Sequence, residues 1–228
     1  MILIDLGNTS AKIYDGAKTT IPKADIFEYL KTINDPVLLC SVVPSYNQVI
    51  EATYKNVKII TNSDYNLLFD NQNSQLNSKG ADRIVAAYGA VQKYQSKVVV
   101  VDIGTCLTLD VVDDRKYLSG LIYPGFEMLE NILAEKVKQL QKPKFAKEMI
   151  LTENQIYWAN IYGFIGAIKN MLAMLAADKD FKVVLTGGTV VKLKEEHDID
   201  LIAELSEYDV VYDPMLIQIG LTKFVDLI

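Results

Sequence analysis

The sequence predicts an α/β protein made of two similar α/β domains, and three features carry that expectation. Residues 98–110 (VVVVDIGTCLTLD) repeat the plan of residues 2–15 (ILIDLGNTSAKIYD). Each repeat opens about half of the chain, and internal duplication is an architectural signal. In both halves, short apolar runs of strand length alternate with stretches of helical spacing, the pattern of an α/β protein.

Each repeat is an apolar run, an Asp, one apolar residue, a Gly and a small hydroxyl or amide residue, then a second run that can alternate faces. A buried strand of this kind delivers its carboxylate at the tip. Gly7 and Gly104 are expected to let the backbone turn sharply without a Cβ in the way. Such a turn aims successive N–H groups into a concavity suited to phosphate. Asn8, Thr9 and Thr105 add side-chain donors, while Asp5 and Asp102 are hard oxygen ligands able to hold Mg²⁺ or its waters.

Taken in order, residues 2–21 read as a β-meander with turns at Gly7-Asn8 and Asp15-Gly16, ending before Pro22. Residues 24–32 have helical spacing, and 37–43 form a continuous apolar run closed by Pro44, a buried parallel strand. A helix over 46–54 and a strand over 57–60 follow. From 62 to 79 the composition turns to Asn, Gln, Ser and Asp, which predicts a long loop of the functional or mobile kind. It leads into Gly80-Ala81-Asp82-Arg83 and a helix over 84–94. A carboxylate and a guanidinium there would sit on a rigid element beside a positive dipole end; a helix cap with a surface ion pair is the plainer alternative.

The second repeat continues through strands at 98–103, 105–112 and 116–122, with Asp113-Asp114 as a turn. Pro124-Gly125 opens an amphipathic helix whose Lys136, Lys138, Lys142 and Lys144 read as a solvated face. An apolar helix spans 159–177. A strand at 182–185 runs into Thr186-Gly187-Gly188, a turn that lets a ligand approach the backbone. A helix, a strand at 210–212, Asp213-Pro214 and a last helix from Met215 complete the chain. The domain division is set at 1–96 and 97–228, with the last helix, about 215–228, a candidate to pack back on the first domain.

With 228 residues, half of them apolar and 23% charged, the chain has the composition of an ordinary globular protein rather than a disordered one. A net charge of -6 argues against non-specific nucleic-acid binding, which needs a basic face. Cys40 and Cys106 both lie in apolar runs and read as small buried hydrophobes, with no disulfide or metal site. His197, the single histidine, lies in the run KLKEEHDID and reads as a solvated helix position, which removes histidine-based catalysis and histidine-ligated zinc. No export signal is expected at the N-terminus, which has no basic stretch and no cleavage site. The apolar helix at 159–177 is interrupted by Asn160, Lys169 and Asn170, so it is read as a core or subunit-interface helix and not a membrane span. The expected compartment is the cytoplasm.

The motifs together resemble a known family. DLGNTSAK at 5–12, SVVP at 41–44, GADR at 80–83, DIGTCLT at 102–108, GLIYPG at 120–125, TGG at 186–188 and DPMLIQIGL at 213–221 occur in the order and approximate spacing of type III pantothenate kinases. The resemblance covers essentially the whole chain. It implies the actin-like ATPase (ribonuclease H-like) superfold, shared with sugar kinases and the Hsp70 ATPase domain, with the nucleotide in the interdomain cleft. The implied activity is ATP-dependent phosphorylation of pantothenate to 4′-phosphopantothenate, the first step of coenzyme A biosynthesis. Asp5, Leu6, Gly7, Asn8, Thr9, Ser10, Ala11 and Lys12 would line the ATP phosphates, with Asp5 near Mg²⁺ and Thr105 on the same nucleotide. Asp102 would take a monovalent cation, K⁺ or NH₄⁺. Gly80, Ala81, Asp82 and Arg83 would hold pantothenate, Asp82 being the general base, and a homodimer is implied.

The chain departs from the family pattern on the acceptor side. No tyrosine stands a few residues ahead of Gly80, where Asn73 and Leu76 fall and the nearest is Tyr65; Ile156 replaces a threonine; Ser119 replaces a glycine. Phosphotransfer is therefore a firmer expectation than pantothenate as its target. A kinase of another small alcohol, a nucleotide-responsive regulator without catalysis, and a phosphohydrolase of the same superfold are the competing readings.

Overall fold

The computed structural model describes residues 1–70, 76–95, 97–140, 144–145, 154–175 and 180–228. Its chain divides into two compact units, Met1–Gln95 with Asp113–Tyr117 and Met215–Ile228, and Ser96–Val112 with Leu118–Pro214.

Unit 1 is built on a five-stranded sheet. Strands β1 (Ile2–Leu6), β2 (Ser10–Tyr14) and β3 (Lys18–Pro22) form the antiparallel meander, and β4 (Val37–Ser41) and β5 (Val57–Ile59) add to β1 in parallel, in the order β3-β2-β1-β4-β5. Ile4, Leu6, Ala11, Ile13 and Leu39 point to one face, where α1 (Ile26–Lys31) and α2 (Pro44–Thr53) cover them with Ile26, Leu30 and Ile50. Pro44 begins α2, where its missing N–H costs nothing. The opposite face meets α4 (Ala81–Tyr94) and α9 (Leu216–Val225). Those two helices pack so closely that a Cβ on Gly89 would lie 2.1 Å from the Leu216 carbonyl oxygen, and one on Gly220 would lie 2.1 Å from that of Val85.

Unit 2 repeats the plan. Its sheet of β6 (Val98–Ile103), β7 (Cys106–Asp113), β8 (Lys116–Pro124), β9 (Lys182–Thr186) and β10 (Asp209–Tyr212) has the order β10-β9-β6-β7-β8, antiparallel from β6 to β7 and parallel from β6 through β9 to β10. Helices α5 (Phe126–Lys136), α6 (Gln155–Leu175), α7 (Gly188–His197) and α8 (Leu201–Glu204) complete it around a core that includes Val101, Leu109, Phe126, Phe164 and Ile168. The duplication read from the two Asp-x-Gly stretches is thus a duplication of sheet topology.

Several local expectations are corrected. The stretch at 62–79 contains a 3₁₀ turn at Asn62–Asp64, the short α3 (Tyr65–Leu68) and a second 3₁₀ turn at Leu76–Ser78. The first of these turns is started by a capping box, in which Thr61 and Asp64 satisfy each other's backbone N–H groups. His197 is buried rather than solvated, its Nδ1 3.0 Å from the Tyr157 hydroxyl and its ring stacked on Tyr157. Val190, Leu193 and His197 share the buried side of α7, so the charged neighbours occupy only the other side. Cys106 is exposed because β7 begins with it, directly after the turn. Helix α5 ends at Lys136, so Lys138 and Lys144 are not on it; Lys142, Asn73 and the end of the 159–177 stretch lie outside the described residues.

The glycine expectation also changes. Gly7 and Gly104 do not have positive φ, and a Cβ there would meet nothing closer than 3.4 Å and 3.9 Å respectively. Neither turn needs glycine for its own backbone. What the missing side chain does is leave the turn's surface uncovered.

Candidate active site

In unit 1 the site is assembled from β1, β2, β4 and the start of α4. Asp5 pairs in register with Lys12 across the meander and with Cys40 on the parallel side, so the three side chains share one sheet face. The Lys12 ammonium stands 2.9 Å from Asp5 Oδ2 while the Asp5 side chain is only 6% exposed. A carboxylate this enclosed needs a cation, and the chain supplies one. Burial, followed by the Asp5 charge and against the pull of Lys12, pushes the Tyr14 phenol up to about 12.

Asp82 lies in the first turn of α4, where Gly80 is the N-cap and supplies no side-chain cap. Its Oδ1 accepts the Arg83 backbone N–H at 2.8 Å, and a Cβ on Gly80 would come within 2.5 Å of that oxygen. Glycine at 80 therefore leaves the carboxylate its place at the helix N-terminus, where the dipole favours the anion. Arg83 is buried. Asp5 and Asp82, far apart in sequence, act on the same thiol: Cys40 is pushed well up by burial first, then by Asp5 and Asp82. Tyr65 is likewise raised, by burial first and then by Cys40, Asp82 and Asp64.

Beside Gly80 and Ala81 opens a cavity of about 530 Å³, whose walls include Ser41, Asn47, Thr61, Tyr65 and Lys79. That size suits a small metabolite, and its walls mix apolar surface with amide, hydroxyl and ammonium groups and the carboxylate of Glu51. Nothing in the sequence marks these residues as a site. Asn47 sits one helical turn past the SVVP stretch and Tyr65 in a presumed loop, so no spacing linked them to GADR.

In unit 2 two glycine-bearing stretches converge on the Asp102–Thr105 turn. Gly187, at φ +92°, passes so near that a Cβ would lie 2.3 Å from the Ile103 carbonyl oxygen and 2.5 Å from Asp102 Oδ1. A Cβ on Gly125 would lie 2.3 Å from the Thr105 carbonyl oxygen. Asp102 is in register with Thr108 on β7 and Thr186 on β9, which sets two hydroxyls and a carboxylate in one row across the sheet. Thr108 Oγ1 is buried without a hydrogen-bond partner. Hard oxygen donors in that row, one of them unsatisfied, fit a small cation. Thr105 is exposed at the tip of the turn.

Two sheets of identical strand order, each with an Asp-x-Gly turn after its first strand, define the actin-like ATPase fold. An archaeal actin homologue has this fold, with a TM-score of 0.51 over 99% of each chain at 8% identity. A Campylobacter jejuni protein described as a putative Baf family transcriptional activator matches with a TM-score of 0.70 over 99% of this chain and 98% of its own, at 23% identity. Residues 21–174 match the family model of type III pantothenate kinases. The chain belongs to that family, which makes it a kinase, an enzyme of ATP-dependent phosphoryl transfer that works with a metal ion. A type III pantothenate kinase of Thermosipho africanus is 29% identical over 241 aligned positions, covering 93% of both chains.

Proposed function

We propose that this protein transfers the terminal phosphoryl group of ATP to the 4′-hydroxyl of pantothenate, the first step of coenzyme A biosynthesis. The observation that carries the residue assignment is Asp82, held at the N-terminus of α4 next to the cavity beside Gly80 and Ala81. The cavity takes the acceptor, with Gly80 and Ala81 along one side; Asp82 and Arg83, the next two residues of α4, are assigned to hold it as well, and Asp82 receives the hydroxyl proton as the oxygen attacks phosphorus. Phosphoryl transfer has a loose transition state, so the protein mainly positions groups and neutralises charge, and a carboxylate suffices as the proton acceptor.

The turn at Asp5–Lys12 and Thr105 are assigned to the ATP phosphates. Lys12, already beside Asp5, supplies positive charge there. Mg²⁺, which keeps several waters and uses few protein oxygens, would be held by Asp5 and the phosphates and would neutralise charge on them. A monovalent cation, K⁺ or NH₄⁺, is assigned to Asp102, with the unsatisfied Thr108 hydroxyl beside it. Among the described residues no helix is long and apolar enough to cross a membrane; the cytoplasm is the proposed compartment.

The test is ATP consumption with and without pantothenate, in K⁺ and in a bulky organic cation. Turnover should require pantothenate, and the organic cation should lower it by roughly tenfold or more, the scale of a lost charge-stabilising contact. Asp102→Asn should abolish the K⁺ response and weaken ATP binding together. Consumption of ATP indifferent to pantothenate would refute the acceptor assignment.

A homodimer is also proposed, through the outer side of unit 2. Helix α6 turns Ile161, Phe164, Ile165, Ile168 and Leu172 into its own core, so Phe164 is an inward residue and not a surface one. Its outer side carries Tyr162, Gly163, Gly166 and Met174, with open space over both glycines, and α5 exposes Met128, Ile132 and Leu133. Exposed apolar residues at this density call for a partner. Ile132→Glu combined with Tyr162→Glu should shift sedimentation from dimer to monomer and weaken pantothenate binding more than ATP binding. An unmodified protein that sediments as a fully active monomer at micromolar concentration would exclude the dimer.

A further inference from the structure

We propose that Arg115, at the tip of the β7–β8 hairpin, is a positioning residue for the acceptor cavity, holding in place the segment that forms one of its walls. The inference rests on the kinase reading above for the identity of the acceptor. Thr61, Asn62 and Ser63 line the cavity and lead directly into α3, whose first residue, Tyr65, lines it too. That helix has four residues, too few to persist on its own hydrogen bonds, so its position must be imposed from outside.

Two attachments impose it. On one side, Asn62 Nδ2 donates to the Asn77 carbonyl at 3.0 Å, tying the wall to the chain that runs into Gly80. On the other side stands the hairpin tip. Asp114 adopts φ 51° in the two-residue turn between β7 and β8, and Arg115 follows it. Arg115 Nε donates to Asp70 Oδ1 at 2.9 Å, an Arg115 Nη2 hydrogen bond reaches the Leu67 carbonyl at 3.4 Å, and the Asp70 backbone N–H donates to the Arg115 carbonyl at 2.8 Å. Between these contacts the Phe69 ring is gripped edge-on by Tyr88 of α4 and Tyr117 of β8, both at 6.1 Å between centroids.

The Arg115–Asp70 pair is exposed, with side-chain exposures of 41% and 59%, and an ion pair of that kind adds little to folding stability. What a guanidinium adds is direction. Its planar fork meets a carboxylate and a carbonyl at once, and so sets the orientation of the end of α3. Phe69, Tyr88 and Tyr117 keep the segment docked when the pair is lost, whereas its angle, and with it the cavity wall, is free to shift.

The test compares Arg115→Ala, Arg115→Lys and Asp70→Asn in steady-state kinetics with ATP and pantothenate. Arg115→Ala should raise the KM for pantothenate about tenfold, the scale of a misplaced binding group, with kcat, the KM for ATP and the unfolding midpoint close to those of the unaltered protein. Arg115→Lys, which keeps the charge and loses the fork, should recover only part of the affinity. Asp70→Asn keeps the backbone hydrogen bond and should give a smaller rise than Arg115→Ala, so the inference can still be read if the alanine variant folds poorly. An unchanged KM for pantothenate in Arg115→Ala and Asp70→Asn, or a loss of kcat and of both affinities in proportion to lost stability, overturns the positioning role. An unmodified protein without pantothenate-dependent turnover overturns the kinase reading, and this inference with it.

Discussion

Asp82→Asn should lower turnover by about 10²–10⁴-fold, the usual contribution of a positioned base, while nucleotide affinity and thermal stability stay near those of the unaltered protein. Asn is the informative replacement because its side-chain oxygen can still accept the Arg83 backbone N–H that Asp82 Oδ1 accepts at 2.8 Å. The start of α4 is thereby preserved, while the negative charge and the ability to take a proton are removed. Asp82 is half-buried and lies outside both apolar clusters, so no packing contact is lost with the charge. Single-turnover measurements with ATP and pantothenate would separate this chemical step from binding. A turnover within a few-fold of the unaltered protein would remove Asp82 from the mechanism and leave the alcohol proton to another group.

The other large effect is structural. Gly89→Ala places a methyl group 2.1 Å from the Leu216 carbonyl oxygen and 2.8 Å from the Gly220 backbone nitrogen. Both obstacles are backbone, so no side chain can swing aside, and α9 must move off α4. Overpacking of this kind costs typically 1–3 kcal/mol, and a fixed backbone obstacle puts the expected loss at about 3 kcal/mol. Because α4 also carries Asp82, a displaced α4 should cost activity as well as stability. Gly163→Ala is the matched control. It is helical too, but nothing lies within 4 Å of its Cβ position, so the better helix propensity of alanine should leave stability equal or raised by up to ~1 kcal/mol in the isolated chain. Urea unfolding of both variants gives the comparison, and an unchanged midpoint for Gly89→Ala would show that α9 does not dock as described.

Much of the secondary structure was legible because its causes lie within a few residues. The alternation at 10–14 and the unbroken apolar run at 98–101 are properties of adjacent side chains, and so is the capping signal that starts the 3₁₀ turn at Asn62–Asp64, although the polar composition around it points to a loop. Repetition of Asp-x-Gly showed that the second sheet copies the first, since a repeated local pattern folds into a repeated local structure. Sequence and structure part where the environment of a residue depends on an element remote in the chain. His197 has charged neighbours along the chain, yet a hydroxyl from Tyr157, 40 residues earlier, meets it in the core. Nothing in the apolar stretch at 159–177 says which way Phe164 faces, and the position of Phe126, 5.5 Å away, puts it inside.

The sequence by itself determined the α/β class, the two copied meanders, the family, and the residue types that can carry phosphoryl transfer, because short-range periodicity and chemical identity are written in consecutive letters. Tertiary structure alone decided which groups meet. It brought Asp5 and Asp82 to bear on one thiol, made Asn47, Tyr65 and Lys79 walls of the cavity beside Gly80, and set Arg115 against Asp70 across 45 residues. It also moved the demand for glycine from the two turns to Gly89, Gly125, Gly187 and Gly220, where a distant backbone occupies the space a Cβ would need. Encounters of that kind follow from how packed elements exclude one another in space, and no pattern of neighbouring residues encodes the distance between two backbones that touch only after the sheets and helices have assembled.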